Sequence, residues 1–386
     1  MTGRDETLLL DLIKAALGKG DSCGYPGAVD WNALFDLSVR QCVPALVLDG
    51  LQRLYGSASP ELAGNSAEAK LCKLRWAGLV LKMERQYALH ERIIAELAAF
   101  YGKEGIGLML LKGVGLSRYW PRPDHRAVGD IDVYLMEQGA ERASAGQPVW
   151  KRADGAMKEK LGIVADNSHH HHSVYTYKGV MVENHYDFVN VHSHRSNRRI
   201  EADFKRLAGS GAEEHVCADG TGIYLPSPLL NALYVARHSA CHFAAEGMNL
   251  RQLLDWALFV EKRHADIDWD FFWARCRDYG MEDYVLCMNE IAVRKLGFGK
   301  EIFHTPGEYS GFGSCRRELV DRVLNDIFFP QKPEGQKEGI PYVVARFRLW
   351  RDNLWKHRLV YSDSVPSTFV AQIKSHLMKP ATIFRT

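Results

Sequence analysis

Two short apolar runs decide the fold: Leu108-Met109-Leu110-Leu111, which leads into Lys112-Gly113, and Ile131-Asp132-Val133-Tyr134-Leu135, which follows Gly129-Asp130. Their length and apolar character are typical of buried strands and too short for most helices. The segments before and after this region repeat apolar residues at three- and four-residue intervals, which predicts amphipathic helices. We therefore predict an α+β protein in which a small mixed sheet forms an α/β core between two helical segments.

The change of period divides the chain into three zones: a helical region at 1–105, the α/β core at 106–225 and a second helical region at 226–386. Within the core, residues 173–177 and 180–188 are rich in β-forming side chains, and Lys178-Gly179 separates them. This pattern predicts a β-hairpin.

The composition excludes several classes of protein. Among 386 residues, 49 Lys and Arg stand against 47 Asp and Glu, which leaves a net charge of +2 and disfavours a long RNA or DNA partner. No apolar run approaches the roughly 20 residues of a membrane-spanning helix, so membrane insertion is not expected. The eight cysteines are scattered without a Cys-x-x-Cys pair, which predicts a reducing, cytoplasmic location. The oligomeric state is not predicted.

Two acids in the second apolar run point to a metal site. Asp130 and Asp132 are two residues apart on a predicted strand and therefore project to the same side, while Ile131 and Val133 face the core. Adjacent carboxylates repel each other unless a proton or a cation lies between them. Paired oxygen ligands of this kind suit Mg²⁺, which keeps waters and substrate phosphates as its other ligands.

A third acid lies on the predicted hairpin. Strand alternation places Met181, Glu183 and His185 on one face. If the hairpin lies beside the strand of Asp130, Glu183 completes a three-carboxylate cluster able to hold two metals for in-line phosphoryl displacement. His185 is expected behind the metal ligands or on the side of the acceptor.

The first apolar run supplies groups for phosphates. Gly113 and Gly115 would let backbone amides approach the phosphates at a strand-to-helix turn, and Gly129 belongs to the same predicted nucleotide-binding set. Lys112 and Arg126 either contact phosphate or balance the acidic cluster, and the two roles are compatible.

Taken in order, these motifs resemble the DNA polymerase β-type nucleotidyltransferase superfamily and, within it, a family known as uncharacterised nucleotidyltransferases. The resemblance covers approximately residues 30–265. It depends on the order of several motifs along the chain and not on any single motif. In this chain the motifs are Lys112-Gly113, Tyr119-Trp120-Pro121-Arg122-Pro123, Arg126, Asp130-Ile131-Asp132, Glu183-Asn184-His185, Arg237-His238 with His242, and Arg251 with Asp255.

The resemblance implies an enzyme that transfers an NMP from an NTP such as ATP to a hydroxyl-bearing acceptor. It implies Asp130, Asp132 and Glu183 as catalytic residues and as ligands of two Mg²⁺ or Mn²⁺ ions. A small molecule or a protein is the favoured acceptor. Two features depart from the superfamily: Gly113-Val114 stands where Gly-Ser or Gly-Gly is usual, and Gly113 lies farther from Asp130 than is common.

Two other functions stay open. A non-catalytic module that keeps the fold for nucleotide or protein binding is favoured by the altered Gly113-Val114 turn. A zinc hydrolase would use His238 and His242, which are four residues apart on a predicted helix. The glutamate of His-Glu-x-x-His is replaced by Ser239, so packing histidines are the favoured explanation.

Two further segments have open roles. The run His169-His170-His171-His172 is interpreted as a solvated loop, with a transition-metal site as the alternative. Residues 343–359 combine cations with tryptophans. We interpret them as an amphipathic helix with its cations in water, and a polyanion-binding surface is the alternative.

Overall fold

A computed structural model describes residues 3–20, 29–54, 66–138, 147–217, 219–309, 311, 313, 316–331 and 348–363. Within these ranges the chain forms a six-stranded mixed sheet and many helices. The predicted α+β class with a small mixed sheet between helical segments is confirmed.

The sheet has the strand order β3-β4-β2-β1-β6-β5. The strands are β1 (Ile106–Leu110), β2 (Ile131–Glu137), β3 (His172–Tyr177), β4 (Val180–His185), β5 (Ala212–Val216) and β6 (Gly222–Pro226). The pairs β2–β4 and β1–β6 are parallel, and the pairs β1–β2, β3–β4 and β5–β6 are antiparallel. The two central strands, β1 and β2, are those predicted from the apolar runs.

The predicted hairpin is confirmed as β3 and β4. Lys178 and Gly179 form its turn with φ of +50° and +81°, and two positive φ values match the turn type that fits the twist of paired strands. Strand β4 ends at His185, three residues before the predicted end. Strand β6 and the edge strand β5 were not predicted.

Helices make up most of the remaining structure. They are α1 (Arg4–Ala16), α2 (Trp31–Arg40), α3 (Pro44–Leu54), α4 (Ala67–Lys103), α5 (Val114–Ser117), α6 (Val149–Leu161), α7 (Asn197–Ser210), α8 (Pro228–Ala245), α9 (Leu250–Arg263), α10 (Trp269–Tyr279), α11 (Glu282–Leu296), α12 (Arg317–Phe328) and α13 (Leu354–Val360). Side-chain caps define four of the described starts. Asp30 accepts from Ala33 N (2.9 Å), Ser66 from Ala69 N (3.1 Å), Asn249 from Gln252 N (3.3 Å) and Asp268 from Phe271 N (3.0 Å).

The two faces of the sheet pack on different helices. Ile131 and Val133 of β2 point into a core that includes the end of α4 and one side of α6. Met109 of β1 and Tyr134 of β2 point to the opposite face and join the larger core of α7, α8 and α9. Asp132 lies on this second face, between the sheet and the C-terminal helices.

The larger core is continuous from α1 to α13. It therefore joins residues of all three zones recognised in the sequence, while the division into domains at 105 and 225 stays a prediction. None of the described helices combines the length and the apolar character that a membrane span needs.

The predicted helix 343–359 falls partly outside the described residues. From 348 onward it is helical, but it is interrupted at Asn353 before α13 begins. The expectation that its cations lie in water is wrong for Lys356, which is buried and whose Nζ lies 2.6 Å from Asp326 Oδ1. This lysine ties α13 to α12.

Two helix glycines with opposite surroundings test the packing of α1 on α3. A Cβ at Gly50 of α3 would lie 2.0 Å from the backbone oxygen of Leu12, whereas a Cβ at Gly78 of α4 would meet no atom within 4 Å. We expect Gly50→Ala to lower the free energy of unfolding by about 1–3 kcal/mol, because α1 must move away. Gly78→Ala should raise it by about 0.5–1 kcal/mol, because alanine is the better helix former. Denaturant unfolding of both variants measures the difference, and equal stabilities would contradict the packing.

Candidate active site

The parallel pairing of β2 with β4 brings two of the predicted carboxylates together. Asp132 is the direct partner of Glu183 in this register, and alternation directs both side chains to the face away from Ile131 and Val182. Asp130 directly precedes β2. The hairpin thus lies beside the strand of the two aspartates, as the sequence analysis required for a three-carboxylate cluster.

Lys112 neutralises part of this negative charge. Its Nζ lies 2.9 Å from Asp132 Oδ1 and 3.9 Å from Asp130 Oδ2. Burial alone would lower the pKa of Lys112, but the carboxylates of Asp132 and Asp130 outweigh burial and raise it. Lys112 is therefore a permanent cation between the two aspartates.

His185 supplies a second positive charge. Its Nε2 lies 3.0 Å from Asp132 Oδ1 and 3.3 Å from Glu183 Oε2. Burial opposes protonation of His185, yet hydrogen bonds to the two carboxylates raise its pKa to about 9. Burial alone would raise the pKa of Glu183. The hydrogen bond from His185 opposes this effect and helps to lower the pKa of Glu183 to about 2. His185 thus lies behind the carboxylates, which is one of the two positions expected for it.

The remaining oxygen of Asp132 has the properties of a metal ligand. Asp132 is 1% exposed, and its Oδ2 has no hydrogen-bond partner among the described residues. A buried carboxylate oxygen without a partner is costly unless a cation or a donor occupies the adjacent space. One oxygen of Asp132 and one of Glu183 lie within 4.8 Å of each other, and protonated His185 supports them as a hydrogen-bond donor. The two carboxylates therefore fit a divalent cation.

The turn after β1 depends on two glycines. Gly113 has φ +63° and ψ −120°, a conformation that favours glycine. A Cβ at Gly115 would lie 3.3 Å from the carbonyl oxygen of Leu110, and the amide of Gly115 donates to Lys112 O (3.1 Å). Gly115 therefore serves the turn itself, while Gly113 faces the cleft described next.

A cleft of about 270 Å³ opens between this turn, the aspartates and the helices α8 and α9. Its sheet side is lined by Lys112, Gly113, Gly129, Asp130 and Asp132, and its helix side by Tyr234, His238, His242, Arg251, Gln252 and Asp255, among others. With Arg126, six residues of the predicted site thus line one cleft. Glu183 and His185 lie behind Asp132, outside this lining.

Arg126 also lines the cleft, but its guanidinium is committed to α9. Its Nε and Nη2 each lie 2.7 Å from an oxygen of Asp255, and Trp120 Nε1 donates to the same carboxylate at 2.9 Å. Arg126 and Asp255 are both buried. The partner of Arg126 is therefore Asp255 and not the acidic cluster, so Arg126 anchors the segment that leads to Asp130.

The helix side of the cleft adds Tyr234, to which the sequence analysis gave no role. The hydroxyl of Tyr234 is buried without a hydrogen-bond partner among the described residues. Burial, together with the nearby Asp132 and Glu183, raises the pKa of Tyr234 well above its usual value. Tyr234, His238 and His242 follow each other at intervals of four residues, so their common helix face was a usable sequence signal.

The zinc hydrolase gains no support from the geometry. In the part of the chain that the structure describes, His238 and His242 belong to no group of three or more side chains that could share a metal. Their rings contact each other at 4.5 Å, and His242 Nδ1 lies 2.7 Å from Glu246 Oε1. Both histidines belong to the wall of the cleft.

The interpretation of the four-histidine run as a solvated loop is wrong for its second half. His172 is the first residue of β3 and is 7% exposed, and its ring lies 5.1 Å from that of His185. Burial lowers the pKa of His171 to about 2 and that of His172 to about 4. The pairing of β3 with β4 carries these two side chains to the back of the carboxylate cluster.

Because Arg126 and Asp255 form a buried ion pair, we predict that removing either side chain strongly lowers the free energy of unfolding. Asp255→Ala leaves a buried guanidinium without its carboxylate and should lower the free energy of unfolding by about 3–5 kcal/mol. The matched control is Asp36→Ala, which removes the partner of Arg75 from a pair that is more than half exposed and should cost less than about 1 kcal/mol. Denaturant unfolding compares them, and a small effect of Asp255→Ala would show that Arg126 is not anchored there.

Comparison with known proteins places the chain in a family. No curated protein and no solved structure matches it. The family of uncharacterised nucleotidyltransferases matches residues 27–297 of the 386. This match includes the whole sheet, the carboxylate cluster and both helices of the cleft wall. The predicted family is therefore confirmed, and the chain belongs to the uncharacterised nucleotidyltransferases.

Proposed function

We propose that this chain is a metal-dependent nucleotidyltransferase that moves an NMP from an NTP to a hydroxyl-bearing acceptor. One observation carries the proposal: Asp132 and Glu183 are direct partners on parallel strands, and Asp132 keeps a buried oxygen that no described residue binds. In a member of a nucleotidyltransferase family, such an oxygen beside a cleft is best explained as a metal ligand.

Asp130, Asp132 and Glu183 would hold the metal. When bound, a pair of Mg²⁺ or Mn²⁺ ions would lower the pKa of the acceptor hydroxyl and stabilise the leaving pyrophosphate. Asp130 and Asp132 reach the cleft directly, and Glu183 approaches from behind Asp132. This arrangement favours a nucleotide on the cleft side of the aspartates.

The cations and the glycine turn would orient the triphosphate. Lys112 lines the cleft and lies between the two aspartates, so its ammonium is adjacent to phosphates held there. Gly113 leaves the cleft floor free of a side chain. Arg126 contributes by holding the segment before Asp130 through its bond with Asp255.

The acceptor would lie against the helix side of the cleft. A volume of about 270 Å³ suits a small molecule or one inserted side chain of a protein. The hydroxyl of Tyr234 and the ring of His238 offer hydrogen bonds there. The net charge of +2 disfavours long RNA or DNA as acceptor.

The second candidate is a module that binds nucleotide or protein without catalysis. It is favoured by Val114, which occupies the position of the usual serine or glycine and packs its side chain against the core below the sheet. This valine offers no hydroxyl to a triphosphate.

Transfer activity tests the catalytic proposal. Incubation of the full chain with Mg²⁺, each α-labelled NTP and cell extract should produce a labelled adduct. The double variant Asp130→Asn/Asp132→Asn removes two metal ligands and should reduce labelling by about 100-fold or more. Glu183→Gln should also reduce it strongly, and Glu214→Gln, an exposed strand glutamate of the same sheet, should not. Equal labelling by the wild type and the double variant would refute the catalytic role.

Nucleotide binding separates the two candidates. With ATP or GTP and Mg²⁺ at about 100 times Kd, the folded state should gain about 2.7 kcal/mol over metal alone, seen as a rise in Tm. Lys112→Met should weaken this effect, because it removes the cation beside the phosphates. A nucleotide-dependent rise without any labelled adduct would favour the non-catalytic module, and the absence of both would contradict both candidates.

A further inference from the structure

Three histidines meet behind the carboxylate cluster. His172 and His185 are direct partners in the antiparallel β3–β4 pair, so their side chains point to the same face. The ring of His171 lies 4.3 Å from that of His172 and 5.5 Å from that of His185. One ring nitrogen from each of the three lies within 4.8 Å of the other two. This is the spacing of side chains that share one metal ion.

Four nitrogens of these rings lack a hydrogen-bond partner among the described residues. His171 Nδ1, both ring nitrogens of His172 and His185 Nδ1 are buried and have no hydrogen bond to any described residue. His172 and His185 are only 7% and 5% exposed. Each buried polar atom without a partner costs about 1–3 kcal/mol. Four such atoms, on three rings that can share one metal ion, indicate a ligand that satisfies them together.

The surrounding structure holds the rings in place. The amides of Tyr186 and Asp187 both donate to the carbonyl oxygen of His171, at 3.0 and 3.1 Å. His185 Nε2 is bound to Asp132 and Glu183, which leaves Nδ1 directed away from the carboxylates. Metal-binding histidines commonly donate their second nitrogen to a carboxylate in this way.

Another metal-capable group in the described residues lacks this property. Glu84, Asp124 and His125 also lie within reach of one ion, but both nitrogens of His125 are already within hydrogen-bond distance of carboxylates, Asp49 at 2.6 Å and Glu84 at 3.1 Å. That group is a satisfied polar contact between helices.

We propose that His171, His172 and His185 bind one transition-metal dication, with Zn²⁺ as the ion that matches them best. Three imidazoles and one open position are a common zinc coordination, whereas Mg²⁺ prefers oxygen ligands. The metal takes the place of the proton that His185 Nδ1 carries when the ring is protonated. The site is distinct from the carboxylate site in its ligands, and it shares His185 as the neighbour that orients Asp132 and Glu183.

The structure divides the four-histidine run into two halves. His169 is exposed and its ring stacks on that of His172 at 4.6 Å, whereas His170 is partly exposed and its ring contacts His192 at 5.4 Å. Among the described residues, neither belongs to the group of side chains that can share the metal. His171 and His172 face His185. If the four histidines formed a solvated loop, any of them could bind a metal ion. The proposed site uses only His171 and His172 of this run.

Metal binding by the full chain tests the site without nucleotide or acceptor. The chain is first freed of metal with EDTA, desalted and then loaded with Zn²⁺. We expect one equivalent of Zn²⁺ per chain to remain bound through gel filtration, also in excess Mg²⁺. His171→Gln/His172→Gln should lower the affinity for Zn²⁺ by about 100-fold or more. The matched double variant His169→Gln/His170→Gln should retain it. Equal losses in both variants, or no loss in either, would overturn the proposal.

Cobalt provides a second measurement that needs no variant. Co²⁺ added to the metal-free wild type should give the intense visible bands of four-coordinate cobalt without a thiolate charge-transfer band, because the ligands are imidazoles. Only weak six-coordinate bands, or displacement of Zn²⁺ by Mg²⁺, would place the ion on the carboxylates and refute the site. The result is independent of nucleotide transfer, so failure of this proposal and failure of the proposed function are distinguishable.

Discussion

The parallel pairing of β2 with β4 is the constraint on which the site depends. It sets Asp132 directly opposite Glu183, at a distance where two carboxylates can share ligands but also repel each other. A shift of one residue in this register would send one of them into the apolar core with Ile131 and Val182. The hydrophobic pattern of both strands therefore determines the register, and the register determines where the acids meet.

The same pairing requires compensation for buried charge. Asp132 is almost fully buried, and an isolated carboxylate in that position would be protonated or destabilising. Lys112 from the end of β1 and His185 from β4 each approach Asp132 Oδ1, so cations reach it from two neighbouring strands. One of its oxygens stays without a partner in the described residues. The cluster is thus balanced enough to fold and open enough to accept a divalent cation.

Local patterns predicted much of this arrangement. Asp-x-Asp before a short apolar run, and Glu-x-His on an alternating strand, specify which side chains share a face. Helix α7 was missed although Ile200, Phe204 and Leu207 repeat with helical spacing and are buried, because its polar start resembles a loop. Strands β5 and β6 are short, and their place in the sheet depends on the parallel pairing of Met109 with the distant Tyr224.

Long-range contacts account for the rest. No local signal connects Arg126 to Asp255, since 129 positions separate them and their pairing depends on how α9 lies on the sheet. The burial of His172 and of His171 Nδ1 likewise follows from the position of β3 beside β4. A run of histidines looks hydrophilic by composition, and only the tertiary structure shows which of its members face inward.

The bond of Arg126 with Asp255 has a consequence for how such a protein can evolve. It joins the segment before Asp130 to a helix in a different zone of the chain, and Trp120 adds a second link to the same carboxylate. A recombination event that exchanged the sheet region alone would separate a buried cation from its counter-ion. Sheet and C-terminal helices are therefore expected to be inherited as a unit, with the cleft between them diverging by substitution and not by the exchange of whole segments.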